Sequence, residues 1–324
     1  MANKKSWKDH LLSSGLPLEQ SVIQILEELG IQGPTEYKYE RNNELGIPTV
    51  FSVDVYAPQT YHELERQWLW LNIFCECKYR HDSVRWLFTP YEFGRWPRAR
   101  SQDVFIILDQ LTGPKVVNTE HFSHFVRKYK LCNKGIEILE NDANNKTIDQ
   151  CIQQLRYGMI NDVVDSLVHQ VDKLLGSISP IFILLPIIIT TAELWRIRPG
   201  TTIQNIREAN ELDQIGHKLN SLIIFEPPDN LFSQYTLAKL NKSLSDDQKS
   251  TIDKRMRKIG LYGYNYFLSY FSSKHPSFFM VVNYKYFRSM MKSLLSFFGD
   301  SSLMKRRTRP RPFSEVLNNL HAQE

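Results

Sequence analysis

Residues 72–78, Asn-Ile-Phe-Cys-Glu-Cys-Lys, form an apolar run broken by one acid and one base two positions apart. Such a run reads as a β-strand. Side chains alternate across a strand, so Glu76 and Lys78 face the same way, about 7 Å apart at roughly 3.3 Å per residue. Asp54 lies in a second strand-like run, residues 49–56, twenty-two positions earlier. Burying an acid or a base unpaired is costly. Either the pair lies on the solvated face of a sheet, as an ordinary surface ion pair, or the fold uses it inside. Two carboxylates and an ammonium on adjacent strands suffice to hold Mg²⁺ beside a phosphate. The metal takes hard oxygens, while the lysine steadies or deprotonates a water and offsets developing negative charge.

The upstream segments set an order. Residues 16–30 predict an amphipathic helix: Leu18, Val22, Ile25 and Leu29 share one face, Pro17 suits the first turn and Gly30 the stop. Glu19 lies at the edge of that face, near its N-terminal end. Residues 35–41 with alternating Tyr37 and Tyr39, a turn-rich link over 42–48 and the Asp54 strand predict a hairpin. The order is a helix with Glu19, a strand, a strand with Asp54, and a strand with Glu76 and Lys78.

That order, with Asp54 followed by Glu76-Cys77-Lys78, resembles the PD-(D/E)xK, or restriction-endonuclease-like, nuclease superfamily. The resemblance covers residues 1–90 well and extends more loosely to 230. It implies an α/β fold whose restriction-endonuclease-like core is a mixed central sheet flanked by helices. Val53, not proline, precedes Asp54, at a position that varies widely in the superfamily. Carried over, the resemblance implies Asp54 and Glu76 as metal ligands, the Cys77 carbonyl as a further ligand and Lys78 as the catalytic lysine. It implies Glu19 as a carboxylate that orients metal-bound water; an ordinary first-turn acid beside the helix dipole is the other reading. The implied cofactor is Mg²⁺ or Mn²⁺, and the implied partner is nucleic acid, DNA favoured over RNA. A homodimer is compatible with it.

Further along, residues 84–88 and 104–108 are strand-like. Arg95, Trp96, Arg98 and Arg100 make a basic loop that could meet nucleic acid, or a solvated loop anchored by Trp96. A helix is expected over 147–175, with Ile152, Leu155, Met159, Val163, Leu167, Val171 and Leu174 as its stripe. In the resembled fold it crosses over to the next strand, which 181–191 fits. Gln153 and Tyr157 on this helix match a pair that some nucleases of the superfamily place beside the active site; they also read as ordinary surface residues. Residues 219–225 and 278–282 are strand-like, 241–251 read as a loop or linker, and 286–298 as an amphipathic helix.

The 324 residues suggest a nuclease core over 1–230 and a basic, aromatic-rich α+β extension over 231–324, with 300–324 a flexible tail. Residues 251–312 hold 13 Lys and Arg against Asp253 and Asp300, a charge of +11, while the rest of the chain carries −6. Such asymmetry suits a polyanion. Lys305, Arg306, Arg307, Arg309 and Arg311 are the phosphate-contact candidates, or else a solvated tail. The aromatics between 262 and 282, interleaved with lysine and arginine, suit binding to single strands or backbones, or else are mostly core, as Phe267, Phe278 and Phe279 read. The four cysteines lack zinc-finger spacing and read as reduced thiols of a cytoplasmic protein. The opening residues lead into no apolar stretch, so no signal peptide is expected. The longest apolar run, 181–189, is too short for a bilayer, which takes about twenty residues. No nucleophile motif or Gly-rich phosphate loop is present. The function expected is metal-dependent nucleic-acid hydrolysis. The alternatives are a nucleic-acid-binding protein on an inactive nuclease fold, or a structural or interaction protein.

Overall fold

The computed structural model describes residues 6–43, 45–61, 68–91, 104–109, 111, 115–139, 142–144, 146–173, 180–258, 262–300 and 303–306. The chain starts with α1 (Trp7–Ser13), which a Ser6–Asp9 capping box opens, and α2 (Leu16–Glu28), which buries Leu18, Val22, Ile25 and Leu26. Strands β1 (Thr35–Asn42), β2 (Pro48–Tyr61) and β3 (Leu69–Lys78) follow as an antiparallel meander. Next come β4 (Arg85–Pro90), β5 (Ile106–Leu108), β6 (Lys115–Val117), α3 (Thr119–Val126), β7 (Lys130–Ile138) and β8 (Ala143–Asn144). The long helix α4 (Lys146–Lys173) leads to β9 (Ile181–Thr190). β9 runs parallel to β3 along its whole length, from Leu69 opposite Ile181 to Lys78 opposite Thr190.

The remainder is β10 (Glu193–Ile197), α5 (Ile203–Glu208), β11 (Gly216–Leu219), β12 (Ser221–Phe225), α6 (Asn230–Ser243), α7 (Asp246–Lys258), α8 (Tyr264–Lys274), β13 (Phe278–Asn283), α9 (Tyr284–Phe298) and β14 (Met304–Arg306). The fold is α/β, built among the described residues on one mixed sheet of 12 strands ordered β1-β2-β3-β9-β13-β12-β7-β4-β10-β11, with β5 paired to β9 and β8 to β7. Helices cover both faces. α4 and α6–α8 bury Leu155, Phe232, Ile252 and Phe271 with Phe74, Trp86 and Leu184 of the sheet. α2, α3 and α9 bury Leu26, Phe122 and Phe287 with Ile73, Ile183 and Met280. A central strand covered twice must be apolar on both sides, which accounts for the run in β9. Pro186 falls between the stretch of β9 paired to β5 and the stretch paired to β13. A proline, which cannot donate to a ladder, is tolerated at such a seam.

The linker expected over 241–251 is instead the end of α6, a two-residue join and the first half of α7. Ser245 and Gln248 form a capping box there, each side chain taking the other's N–H at 3.2 and 3.0 Å. That Ser-x-x-Gln was a legible helix start. The tail expected from 300 begins with order: Met304–Arg306 pairs antiparallel with β6. The strand expected over 219–225 is split, β11 ending at Leu219 and β12 starting at Ser221. β13, from the region expected as an extension, lies inside the sheet between β9 and β12. Among the described residues no helix is long and apolar enough to cross a membrane.

Candidate active site

Two irregularities at one end of the β1–β2–β3 meander create the site. Thr35 pairs with Tyr56 and Tyr37 with Val53, so Asp54 and Val55 together oppose Glu36 alone. That is a β-bulge, which bends a strand and re-aims a side chain. The described β2–β3 ladder stops at Val55 opposite Cys75. Beyond it the Asp54 carboxylate replaces the main chain, its Oδ2 accepting the Cys77 N–H at 2.7 Å. In an extended strand a residue's N–H and C=O leave by the same edge, so the Cys77 carbonyl also faces β2.

Alternation along β3 puts Cys75 and Cys77 in the core beneath α2 and α9, and Phe74 in the core beneath α4. Glu76 therefore lies on the α4 side. It is 0% exposed, so the solvated surface pair is not what this segment forms. The Lys78 ammonium, on a side chain 23% exposed, donates to Glu76 Oε1 at 2.5 Å. Among the described residues Glu76 Oε2 meets no donor at full hydrogen-bonding geometry, the only buried carboxylate oxygen in that state, although the Asp54 N–H and carboxyl lie close enough to ease the ionisation of the pair. The buried Asp162 carboxylate, by contrast, receives Asn72 Nδ2 at 2.7 Å and the Tyr56 hydroxyl at 3.1 Å. An orphaned carboxylate oxygen costs stability unless something else fills its place.

Burial and then the nearby Asp54 push the Glu76 carboxyl up to about 8. Asp54 is also raised, by burial, with Lys78 and the Cys77 N–H acting against it. Burial alone would discharge Lys78, but Glu76 foremost holds it above its ordinary value, so the ammonium stays charged. Glu19, in the first turn of α2, is raised by burial and by Asp54; a helix N-terminus alone would lower it. Gly15, the N-cap at φ +85°, leaves room for this carboxylate: a Cβ there would stand 3.1 Å from Glu19 Oε1. Glu36 adds a further negative charge felt by Asp54 and Glu19. Burial also raises the Cys75 and Cys77 thiols, and all four cysteines are free and buried.

The turn after Lys78 is locked by residues that the sequence did not single out. Arg80 Nε donates to the buried Glu137 at 2.5 Å, Trp86 Nε1 donates to it at 2.8 Å and Thr147 Oγ1 at 3.1 Å. The Arg80 backbone exchanges two hydrogen bonds with Thr191 Oγ1, at 2.6 and 2.7 Å. This ties the end of β3 to β4, β7, α4 and the turn after β9. Cys151 on α4 lies within electrostatic reach of Lys78, Glu76 and Asp54. Gln153 is about 200° further round the helix at roughly 100° per residue, and Tyr157 packs on Arg41, Phe232 and Tyr235. The structure therefore gathers Asp54, Glu76, Cys77, Lys78 and Glu19 and leaves Gln153 and Tyr157 out. Arg95, Arg98, Arg100, Arg307, Arg309 and Arg311 lie outside the described residues. Lys305 and Arg306 belong to β14.

Among the described residues no three His, Cys, Asp or Glu side chains group as a metal cage. Mg²⁺ does not demand one: it commonly takes one or two carboxylates, waters and the substrate's own phosphate. Asp54, the orphaned Glu76 oxygen and the Cys77 carbonyl fit such an ion in donor chemistry. Compared with family models, with curated proteins and with solved structures, the chain gives no match.

Proposed function

We propose that the chain is a metal-dependent phosphodiester hydrolase of the PD-(D/E)xK kind acting on nucleic acid, DNA favoured over RNA. The observation that carries this reading is the orphaned oxygen of fully buried Glu76, beside Asp54 and paired to Lys78. The element order supports it: a helix with Glu19, the meander with Asp54 and Glu76, a crossover helix, and a strand parallel to β3. Bound Mg²⁺ or Mn²⁺ would polarise the phosphate and acidify a water. Asp54, Glu76 and the Cys77 carbonyl would hold the ion, and Glu19 would orient water from the α2 side. Lys78, kept charged by Glu76, aligns the attacking water and offsets charge on the phosphate oxygens. The Arg80–Glu137 lock keeps the strand end in register during turnover.

The test is purified protein with plasmid, linear duplex, single-stranded DNA and RNA, in Mg²⁺, Mn²⁺, Ca²⁺ or chelator. Cleavage is expected with Mg²⁺ or Mn²⁺, and binding without cleavage in Ca²⁺, whose larger shell places water poorly. Cleavage that persists in excess chelator overturns the metal role; no cleavage of any substrate overturns the hydrolase, leaving a binding protein on an inactive fold if nucleic acid is bound and a structural or interaction protein if it is not.

A further inference from the structure

Helix α8 buries one stripe and exposes another. Tyr264, Phe267, Leu268 and Phe271 enter the core, whereas Tyr262, just before the helix, and Tyr266 and Tyr270 on it are 52, 55 and 45% exposed. Positions four apart line up along one helix face. The Tyr262 and Tyr266 ring centroids are 4.6 Å apart; those of Tyr266 and Tyr270 are 6.4 Å apart with planes within 14°. The result is a ladder of three half-exposed rings, with His275 edge-on to Tyr270 at 6.1 Å.

The surroundings are basic. α8 carries no acid. The neighbouring α7 ends in Lys254, Arg255, Arg257 and Lys258, and Lys274 closes α8. Asp253 of α7 is engaged by Arg257 Nε at 2.7 Å and by the Tyr264 N–H at 2.8 Å. Aromatic faces beside cations are what unpaired nucleotides need: any base can stack on a tyrosine, and the cations meet the backbone phosphates. A duplex keeps its base faces inside its own stack and gains only the charge contacts. α8 also belongs to the layer over the sheet face that carries Glu76.

We propose that Tyr262, Tyr266 and Tyr270 form a stacking platform for single-stranded nucleic acid. This deepens the hydrolase reading by naming the form of its substrate, an unpaired stretch. The test keeps the two apart by measuring binding in chelator, where no metal-dependent cleavage occurs. The full chain is titrated, by fluorescence anisotropy, into a labelled single strand of about 12 nucleotides, DNA or RNA, and into the matching duplex. Tyr266→Ala with Tyr270→Ala is expected to weaken single-strand binding about tenfold or more, while Tyr266→Phe with Tyr270→Phe keeps most of it. Duplex affinity should change by less than about twofold. Circular dichroism checks that these exposed substitutions leave the fold intact. Single-strand affinity unchanged by the alanine pair, an equal loss on duplex, or a wild-type chain that binds a protein at this face and no single strand each overturns the platform. Single-strand binding without any Mg²⁺-dependent cleavage overturns the hydrolase and leaves the platform standing.

Discussion

At the scale of the residue, Glu76 is a fully buried carboxyl whose ionisation is opposed by burial and by the nearby Asp54. Its ordinary value is 4.5, and in the fold it rises to about 8. Between those values the folded chain holds a proton that the unfolded chain has released, so stability falls as pH rises through that window. A divalent cation must displace the same proton. Mg²⁺ affinity, followed by calorimetry, should therefore tighten several-fold to about tenfold per pH unit below 8 and level off above it. Correspondingly, the rise in Tm caused by Mg²⁺ should be larger at about pH 9 than at about pH 7. A Mg²⁺ affinity that does not change with pH contradicts the assignment of Glu76 as a ligand. Asp162, raised to about 6, adds the same sign of pH dependence at lower pH, but its oxygens are already hydrogen-bonded and its share should not respond to Mg²⁺. Asp54→Asn, Glu76→Gln and Lys78→Ala should each lower Mg²⁺-dependent cleavage by at least ~100-fold with the fold retained. Three variants as active as the wild type would move the site elsewhere.

At the scale of the element, the site depends on how closely α4 lies on the meander. Gly158 has no space for a side chain: a Cβ would meet Val53 Cγ2 at 2.6 Å, next to Asp54 on β2. Glycine in mid-helix costs about 1 kcal/mol relative to alanine, so Gly158→Ala gains that much in propensity. Overpacking against a stiff β-branched side chain costs about 1–3 kcal/mol. The second effect should win, giving a net loss of roughly 1 kcal/mol in urea unfolding, with reduced cleavage because β2 shifts beneath Asp54. A stabilised, fully active Gly158→Ala protein would show that the layers can separate without cost. The Arg80–Glu137 lock gives a second test. Glu137→Gln strands a guanidinium that is 26% exposed and can partly turn to water, so the loss should be about 2 kcal/mol rather than the 3–5 of a fully buried orphan charge. Its effect on cleavage should exceed its effect on substrate binding, since it loosens the strand end that carries Lys78 and touches no substrate.

At the scale of the whole molecule, charge and topology part company. The +11 of residues 251–312 against −6 elsewhere predicts strongly salt-dependent binding. On duplex DNA log affinity falls with log salt at a slope near −0.9 per neutralised phosphate. Neutralising Lys305, Arg306, Arg307, Arg309 and Arg311 should weaken binding similarly for all sequences and flatten that slope, with turnover at saturating substrate nearly unchanged. Equal slopes in titrations of variant and wild type would make these cations bystanders and direct attention to residues 95–100. What the amino-acid order determined by itself is what repeats locally. The stripe of α2, the alternation of β1 to β3, the length of α4 and the doubly apolar β9 follow from periods of 3.6 and 2. The shared face of Glu76 and Lys78 follows the same way. Tertiary structure alone decided the rest. It slid β13 between β9 and β12, made β2 bulge at Asp54, aimed Cys151 and not Gln153 at the site, and brought Glu137 to Arg80 across 57 positions of chain. Strand partners and buried polar pairs are chosen by which surfaces can be covered together, and no local period records that choice.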